Sequence, residues 1–192
     1  ITFKEKQNSG YFPEFGNSKN IKIVPTFIPT LNIFNLIKIF NYIKKNPHKY
    51  IFKEQYLDFE DLCFSFSHIL RRRQFLKKKY YYKKIDLSEI IYNELKGYDD
   101  FYSINVGLLN YKFFYRLSKE KVNVHKSFNW FENQIIDKGW NYGFRKYFPK
   151  NQLNSYGYQD FNKHFNLLSN SPSKLEKSSK VIPNKIIIIS KF

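Results

Sequence analysis

The chain has 192 residues, with 33 Lys plus Arg against 16 Asp plus Glu, a formal charge of +17. Hydrophobic residues make up 42% of it, enough for a real core and too many for a disordered polycation. One cysteine excludes a disulfide framework, no Cys/His spacing builds a zinc site, and no run approaches the roughly eighteen apolar residues of a membrane span.

Phe (21) and Tyr (16) bring the aromatic share to 20%, a bias that AT-rich codons produce. Met is absent and the first residue is Ile1, which reads as a fragment of a longer open reading frame. The first ten residues are too polar for a secretory signal.

Residues 1–20, with Gly10, Pro13 and Gly16, read as an irregular end. Residues 21–27 read as a short strand. Ile33, Leu36, Ile37, Phe40 and Ile43 recur at helical spacing and predict a helix over 31–45, stopped by Asn46-Pro47. A second helix is predicted over 58–76, opening at Asp58, with Leu62, Phe66, Ile69 and Leu70 as its apolar face. Cys63, on that helix, reads as a buried small residue.

From Arg71 to Lys84 the chain carries eight cations and no acid: Arg71, Arg72, Arg73, Lys77, Lys78, Lys79, Lys83 and Lys84, interleaved with Tyr80, Tyr81 and Tyr82. Such a run suits an anionic lipid surface, at about 1 kcal/mol per cation near the headgroups. It also suits nucleic acid, with Lys on phosphates and Tyr on bases, or simply a solvated helix end. Asp86 and Glu89 mark another helix start, and that helix ends at Gly97. Leu109, Phe113 and Leu117 share one face of a helix over about 104–119.

Residues 127–131 read as a strand that leads through Glu132-Asn133-Gln134 into a helix ending at Tyr147. Ile136, Trp140, Phe144 and Tyr147 form its buried face, with Gln134, Lys138, Asn141 and Arg145 opposite. Residues 153–158 form a further strand. Ile186 to Ile189 reads as a strand buried on both faces. Strands alternating with helices imply an α/β sheet, whose ligands lie at the carboxyl ends of the strands. That rule singles out two segments, the one after Phe131 and the one after Tyr158.

Glu132 then stands at a strand tip and Asn133 is placed to cap the following helix, whose N-terminus favours anions. A carboxylate there can act as a general base toward a sugar hydroxyl, or belong to a hydrogen-bonded capping turn without catalysis. Tyr158, Gln159 and Asp160 follow the second strand, where Gln and Asp can grip sugar hydroxyls and Tyr can stack on a ring. Lys138, one turn into the helix, is the candidate cation. His164 is the one histidine positioned to line the site, whereas His48, His68 and His125 have no partners at ligand spacing.

The block from Asn129 to Phe161 resembles one found in bacterial surface-carbohydrate and capsular-polysaccharide biosynthesis proteins, which are similar to glycosyltransferases of the two-domain GT-B type. It has an aromatic-Glu-Asn-Gln run, a helix leaving through Arg145 and Phe148-Pro149, and a strand ending Gly157-Tyr158-Gln159. Pro172-Ser173-Lys174-Leu175-Glu176 and Val181-Ile182-Pro183-Asn184-Lys185-Ile186 match downstream elements of that family. Asp160 and Ser190 depart from its pattern.

The resemblance implies an α/β, Rossmann-like, mostly parallel sheet flanked by helices, the N-terminal half of a GT-B-type fold. Residues 21–182 would form that domain, with a helical basic insertion near 58–97, and 183–192 would lead toward a second, nucleotide-binding domain. It implies transfer of sugar from a nucleotide-activated donor to a glycan or lipid-linked acceptor in the bacterial cytoplasm, at or near the inner face of the plasma membrane. Glu132 would be the base, with Asn133, Gln134, Lys138, Tyr158, Gln159, Asp160 and His164 binding substrate. Neither metal nor cofactor would be needed, and the fragment alone would be inactive. The runner-up is an organellar ribosomal or other RNA-binding protein. The carbohydrate-enzyme reading requires Glu132 and Gln159 to meet in one crevice at neighbouring strand tips.

Overall fold

The computed structural model describes residues 21–25, 32–97, 101–159 and 172–188. The stretch 21–182 divides between Tyr56 and Leu57 into two compact units. In the first, α1 (Ile33–Lys45) is capped at its start by Asn32, whose side-chain oxygen accepts from the Phe34 N–H at 2.9 Å. The predicted strand over 21–27 is, in its described part, one parallel bridge between Ile23 and Tyr50. Ile43 and Tyr50 are the buried apolar side chains among the described residues of this unit, and Lys53 is buried with them.

The second unit holds α2 (Phe59–Phe66), α3 (His68–Arg72), a hairpin of β1 (Tyr81–Tyr82) and β2 (Ile85–Asp86), α4 (Ser88–Gly97) and α5 (Phe101–Lys119). There follow β3 (Ser127–Trp130), α6 (Ile135–Tyr147), β4 (Ser155–Gln159), α7 (Lys174–Ser178) and β5 (Lys185–Ile188). The fold is α/β. β3, β4 and β5 form a three-stranded parallel sheet in that order. Among the described residues no helix is long and apolar enough to cross a membrane.

The predicted helix over 58–76 breaks at Ser67, which ends α2 and starts α3. Its apolar face is also corrected. Leu62, Phe66, Ile69 and Leu70 are exposed, as is Cys63, while Asp61 and Ser65 are fully buried. α2 therefore turns its polar side to α5. Ser65 Oγ donates to Asn105 Oδ1 at 2.5 Å, and Arg116 Nε donates to Asp61 Oδ2 at 2.7 Å. Lys112 Nζ lies 3.3 Å from the other Asp61 oxygen. Burial pushes the Asp61 carboxyl up. The hydrogen bonds from Arg116, the Asp58 N–H and Lys112 outweigh that and hold it below the usual carboxylate range.

α5 and α6 cross at two glycines. A Cβ on Gly139 would stand 1.9 Å from the Gly107 carbonyl oxygen, and one on Gly107 would stand 2.9 Å from the Ile135 carbonyl oxygen. This approach lets the Trp140 ring stack 6.1 Å from Phe113 and meet Phe114 edge-on at 4.7 Å. Phe113, Phe114, Leu117 and Phe144 are buried in the same core, as is Phe131 at the end of β3. Each such side chain contributes about 1.5–3 kcal/mol when fully removed from water.

α6 packs on β3 and β4. Trp140 Nε1 donates to Ser127 Oγ at 2.8 Å, and Ser155 Oγ to Asn141 Oδ1 at 3.0 Å. Asn141, expected on the outer face, is thus fully buried. β5 corrects a second expectation. It lies at the end of the sheet order beside β4, and Ile186 and Ile188 are exposed rather than buried on both faces.

Gly139→Ala must drive the two helices apart. Its expected cost is about 3 kcal/mol or more, at the upper end for overpacked cores, and larger than that of Gly107→Ala. Urea unfolding of the two variants checks the order. Arg116→Met, which leaves buried Asp61 with Lys112 and the Asp58 N–H only, is expected to cost about 3 kcal/mol. Because the Asp61 carboxyl is lowered on folding, its stabilisation is complete above the unfolded carboxylate range and is lost as the pH falls below it. Urea midpoints measured down the acid limb should show Arg116→Met losing part of that dependence.

Candidate functional site

The turn from β3 into α6 occupies the carboxyl edge of the parallel sheet. Asn133 sits there with φ 58°, a left-handed conformation that asparagine tolerates better than most residues. A helix cap needs extended backbone, so the cap moves on by one residue to Gln134 (φ −81°, ψ 167°), and the expectation that Asn133 caps α6 is corrected. The Asn133 side-chain oxygen is buried without a hydrogen-bond partner, as is that of Asn129.

Two carboxylates organise the turn. Asp137, three residues after the cap, accepts from the Glu132 N–H at 2.9 Å and the Gln134 N–H at 3.1 Å through the same oxygen. Burial raises the Asp137 carboxyl above its ordinary value, and the nearby Glu132 charge adds to that, against the pull of the hydrogen bonds. Glu132 is exposed and reaches forward and back. One oxygen accepts from the Trp130 indole N–H at 2.8 Å, the other from the Gln134 side-chain amide at 2.7 Å. Trp130, Glu132 and Gln134 thus form a clasp that fixes the carboxylate. Trp130 and Asp137 escaped the sequence reading of the site. The one signal for Asp137 is its spacing of three residues from Gln134.

The sheet register decides which predicted residues share a face. Trp130 pairs with Tyr158, and the Phe131 N–H donates to the Tyr158 carbonyl at 2.8 Å, so Phe131 lies level with Gln159. Side chains alternate along each strand. Ser127 and Ser155 bond to α6, and Asn129 Nδ2 lies 3.4 Å from the Asp137 carboxylate, so the odd-numbered positions of β3 and β4, Gln159 included, face α6. Phe128, Trp130, Tyr156 and Tyr158 face away from it, with Phe128 stacked on Tyr156 at 5.2 Å and 6.1 Å from Tyr158. Glu132, bonded to Trp130, belongs to that aromatic side. Glu132 and Gln159 stand at the same edge, yet on opposite sides of the sheet, and the shared crevice expected between them is not formed. Tyr158, mostly buried, stays on the side of Glu132.

Lys138 makes a salt bridge of 2.7 Å to Glu176 of α7. Glu176 also accepts from the Ser173 N–H at 2.8 Å, within the capping box that starts α7. These contacts, the Lys138 hydrogen bond first, bring the Glu176 carboxyl down to about 2. The expected phosphate cation is therefore occupied in joining α6 to α7. Arg145 donates to the Ile182 carbonyl at 3.0 Å, far along α6 from its N-terminus. Asp160 and His164 lie outside the described residues.

In the basic run, the Arg71 guanidinium lies 4.1 Å from the Phe64 ring and donates to Ser67 Oγ at 2.5 Å. Arg72 is half-buried, while Arg73, Lys77, Lys78, Lys79, Lys83 and Lys84 are exposed.

No family model, curated protein or solved structure matches the chain.

Glu176 is held low in the fold, so its share of stability is full above about pH 4.5 and disappears as the pH falls toward about 2. A carbon-detected NMR titration should give its carboxyl a midpoint near 2, and Lys138→Met should return it toward the ordinary carboxylate range. A midpoint unmoved by that substitution would show that Lys138 does not hold the carboxyl down.

Proposed function

We propose that the carboxyl edge of this sheet binds carbohydrate on its aromatic side, at Glu132 and Trp130; the glycosyltransferase reading required Glu132 and Gln159 in one crevice, and it is not carried forward because the register sets them on opposite sides of the sheet. The observation that carries the reading is the clasp at Glu132. A carboxylate at a strand tip, oriented by an indole and an amide, stands beside a half-buried Trp130 on the aromatic side of the sheet. Sugar recognition needs a ring face for the apolar side of the pyranose and fixed acceptors for its hydroxyls. Trp130 offers the first and Glu132 the second. Each Glu132 oxygen already accepts one bond and keeps a lone pair for a hydroxyl.

A ligand hydroxyl can donate to the remaining lone pair of either Glu132 oxygen. Gln134 keeps the carboxylate aimed. Lys138 acts indirectly, by holding α6 against α7. Gln159 has no place at this centre, because the register turns it to the other side of the sheet.

The test is binding of labelled oligosaccharides to the purified chain. Glu132→Ala, which removes the charged acceptor, is expected to weaken binding at least about tenfold with an unchanged unfolding midpoint. Gln159→Ala is expected to leave affinity within about threefold, a range that surface substitutions away from the ligand rarely exceed. Binding unmoved by Glu132→Ala, or lost equally in both variants, excludes this edge as the site.

A further inference from the structure

We propose that the β1–β2 hairpin docks the protein on an anionic phospholipid surface, its lysines on the headgroup phosphates and its Tyr82–Ile85 pair in the interface below them. This is independent of the carbohydrate reading.

Residues 62–85 contain no acid, and the eight cations of the basic run lie within them. Two of the eight, Lys83 and Lys84, stand at the tip of the hairpin, and its one acid, Asp86, pairs with Tyr81 away from the tip. Tyr81 pairs with Asp86 and Tyr82 with Ile85, leaving Lys83 and Lys84 as the two-residue loop. Lys83 is left-handed, with φ 55°, in a turn where glycine or asparagine is the ordinary occupant. Its ammonium lies 5.7 Å from the Tyr82 ring centre.

The base of the hairpin is fixed. The Tyr80 N–H donates to Ser88 Oγ at 2.9 Å, the Leu87 N–H to the Tyr80 carbonyl at 2.8 Å, and the Tyr80 hydroxyl to the Phe75 carbonyl at 2.9 Å. The Tyr92 hydroxyl of α4 donates to the Lys78 carbonyl. A held base with a free tip is a preorganised element rather than a frayed loop.

What the tip exposes separates lipid from nucleic acid. Tyr82 is 62% and Ile85 61% exposed, side by side on one face of the hairpin. A tyrosine suits either partner. An exposed isoleucine paired with it gains nothing from a phosphate backbone or a base edge, and gains burial from an acyl interface. Lys77, Lys78 and Lys79 precede the hairpin, all exposed, and supply the long-range attraction.

Vesicle sedimentation of the purified chain tests this, using phosphatidylcholine alone, phosphatidylcholine with about one-third phosphatidylserine, and single-stranded poly-uridine RNA as competitor. The chain is expected to bind the anionic vesicles only, less tightly as salt rises. Lys83→Gln with Lys84→Gln should weaken partition roughly 30-fold, and Tyr82→Ser with Ile85→Ser about tenfold. Lys44→Gln with Lys45→Gln, at the end of α1, is a charge-matched control and should change it less than about threefold. Near-uniform loss across both lysine pairs overturns the proposal, as does partition unmoved by removing Tyr82 and Ile85. RNA binding that is tighter than vesicle binding, and lost with the same lysines, assigns the hairpin to nucleic acid instead. Near-ultraviolet circular dichroism confirms that each variant is folded. If the Tyr82/Ile85 variant is not, the two lysine pairs still decide the matter.

Discussion

The second unit is organised by the contact of two backbones at Gly107 and Gly139. Neither position accepts a Cβ without displacing a main-chain carbonyl, so the glycines allow an approach that no side-chain packing could replace. The close crossing brings Trp140 among Phe113, Phe114 and the end of β3, and fixes how α6 lies over the sheet. Since α6 begins four residues after Phe131, its placement also sets the geometry of the turn that carries Glu132. Gly157 belongs to the same arrangement on the central strand. A Cβ there would meet Pro183 at 2.7 Å and Phe131 at 2.8 Å, so the connection before β5 closes directly onto the sheet.

Around this apolar centre polar side chains join helix to helix and α6 to the sheet. Asp61 to Arg116, Ser65 to Asn105 and Asn141 to Ser155 are all buried or nearly so, and Asn110 donates to the Ile136 carbonyl at 3.3 Å. Each replaces bonds to water, so the net gain per bond is only about 1 kcal/mol. Losing one partner is far more costly, because the other remains buried and unpaired. Such contacts stabilise modestly and specify strongly: only one alignment of α2 on α5 satisfies Asp61 and Ser65 together. This matters in a chain so rich in Phe and Ile, where apolar contact alone would permit many alignments.

That polar specification is also what the sequence hid. Helical periodicity locates α1, α5 and α6 well, and the strands over 127–130 and 155–159 are legible from their flanks. The same rule misassigns α2, because it assumes that the apolar stripe faces inward, whereas Asp61 and Ser65 do. Asn141 fails in the same way. β5 reads as a buried strand because four consecutive isoleucines carry no alternation, and its place at the end of the sheet order is a property of pairing, not of composition. In the site, residue types and the strand tip at Glu132 are readable. The register is not, and a single residue of offset decides which side of the sheet a neighbour occupies.

That offset gives the two sides of the carboxyl edge different chemistry. On the α6 side stand Asn129, Asp137 and Gln159. There Asp137 spends its acceptor capacity on backbone N–H groups, and burial raises it toward the protonated form. Protonation would remove acceptor capacity from the turn, so this carboxylate is committed to shape. On the other side Glu132 is exposed, bonded only through side-chain donors, and next to aromatic rings. Of the two acids only Glu132 can exchange a partner for a ligand hydroxyl without unwinding the start of α6. The division of labour follows from backbone geometry: left-handed Asn133 reverses the chain between them, turning the main-chain donors toward Asp137 and leaving the Glu132 side chain to the solvent side.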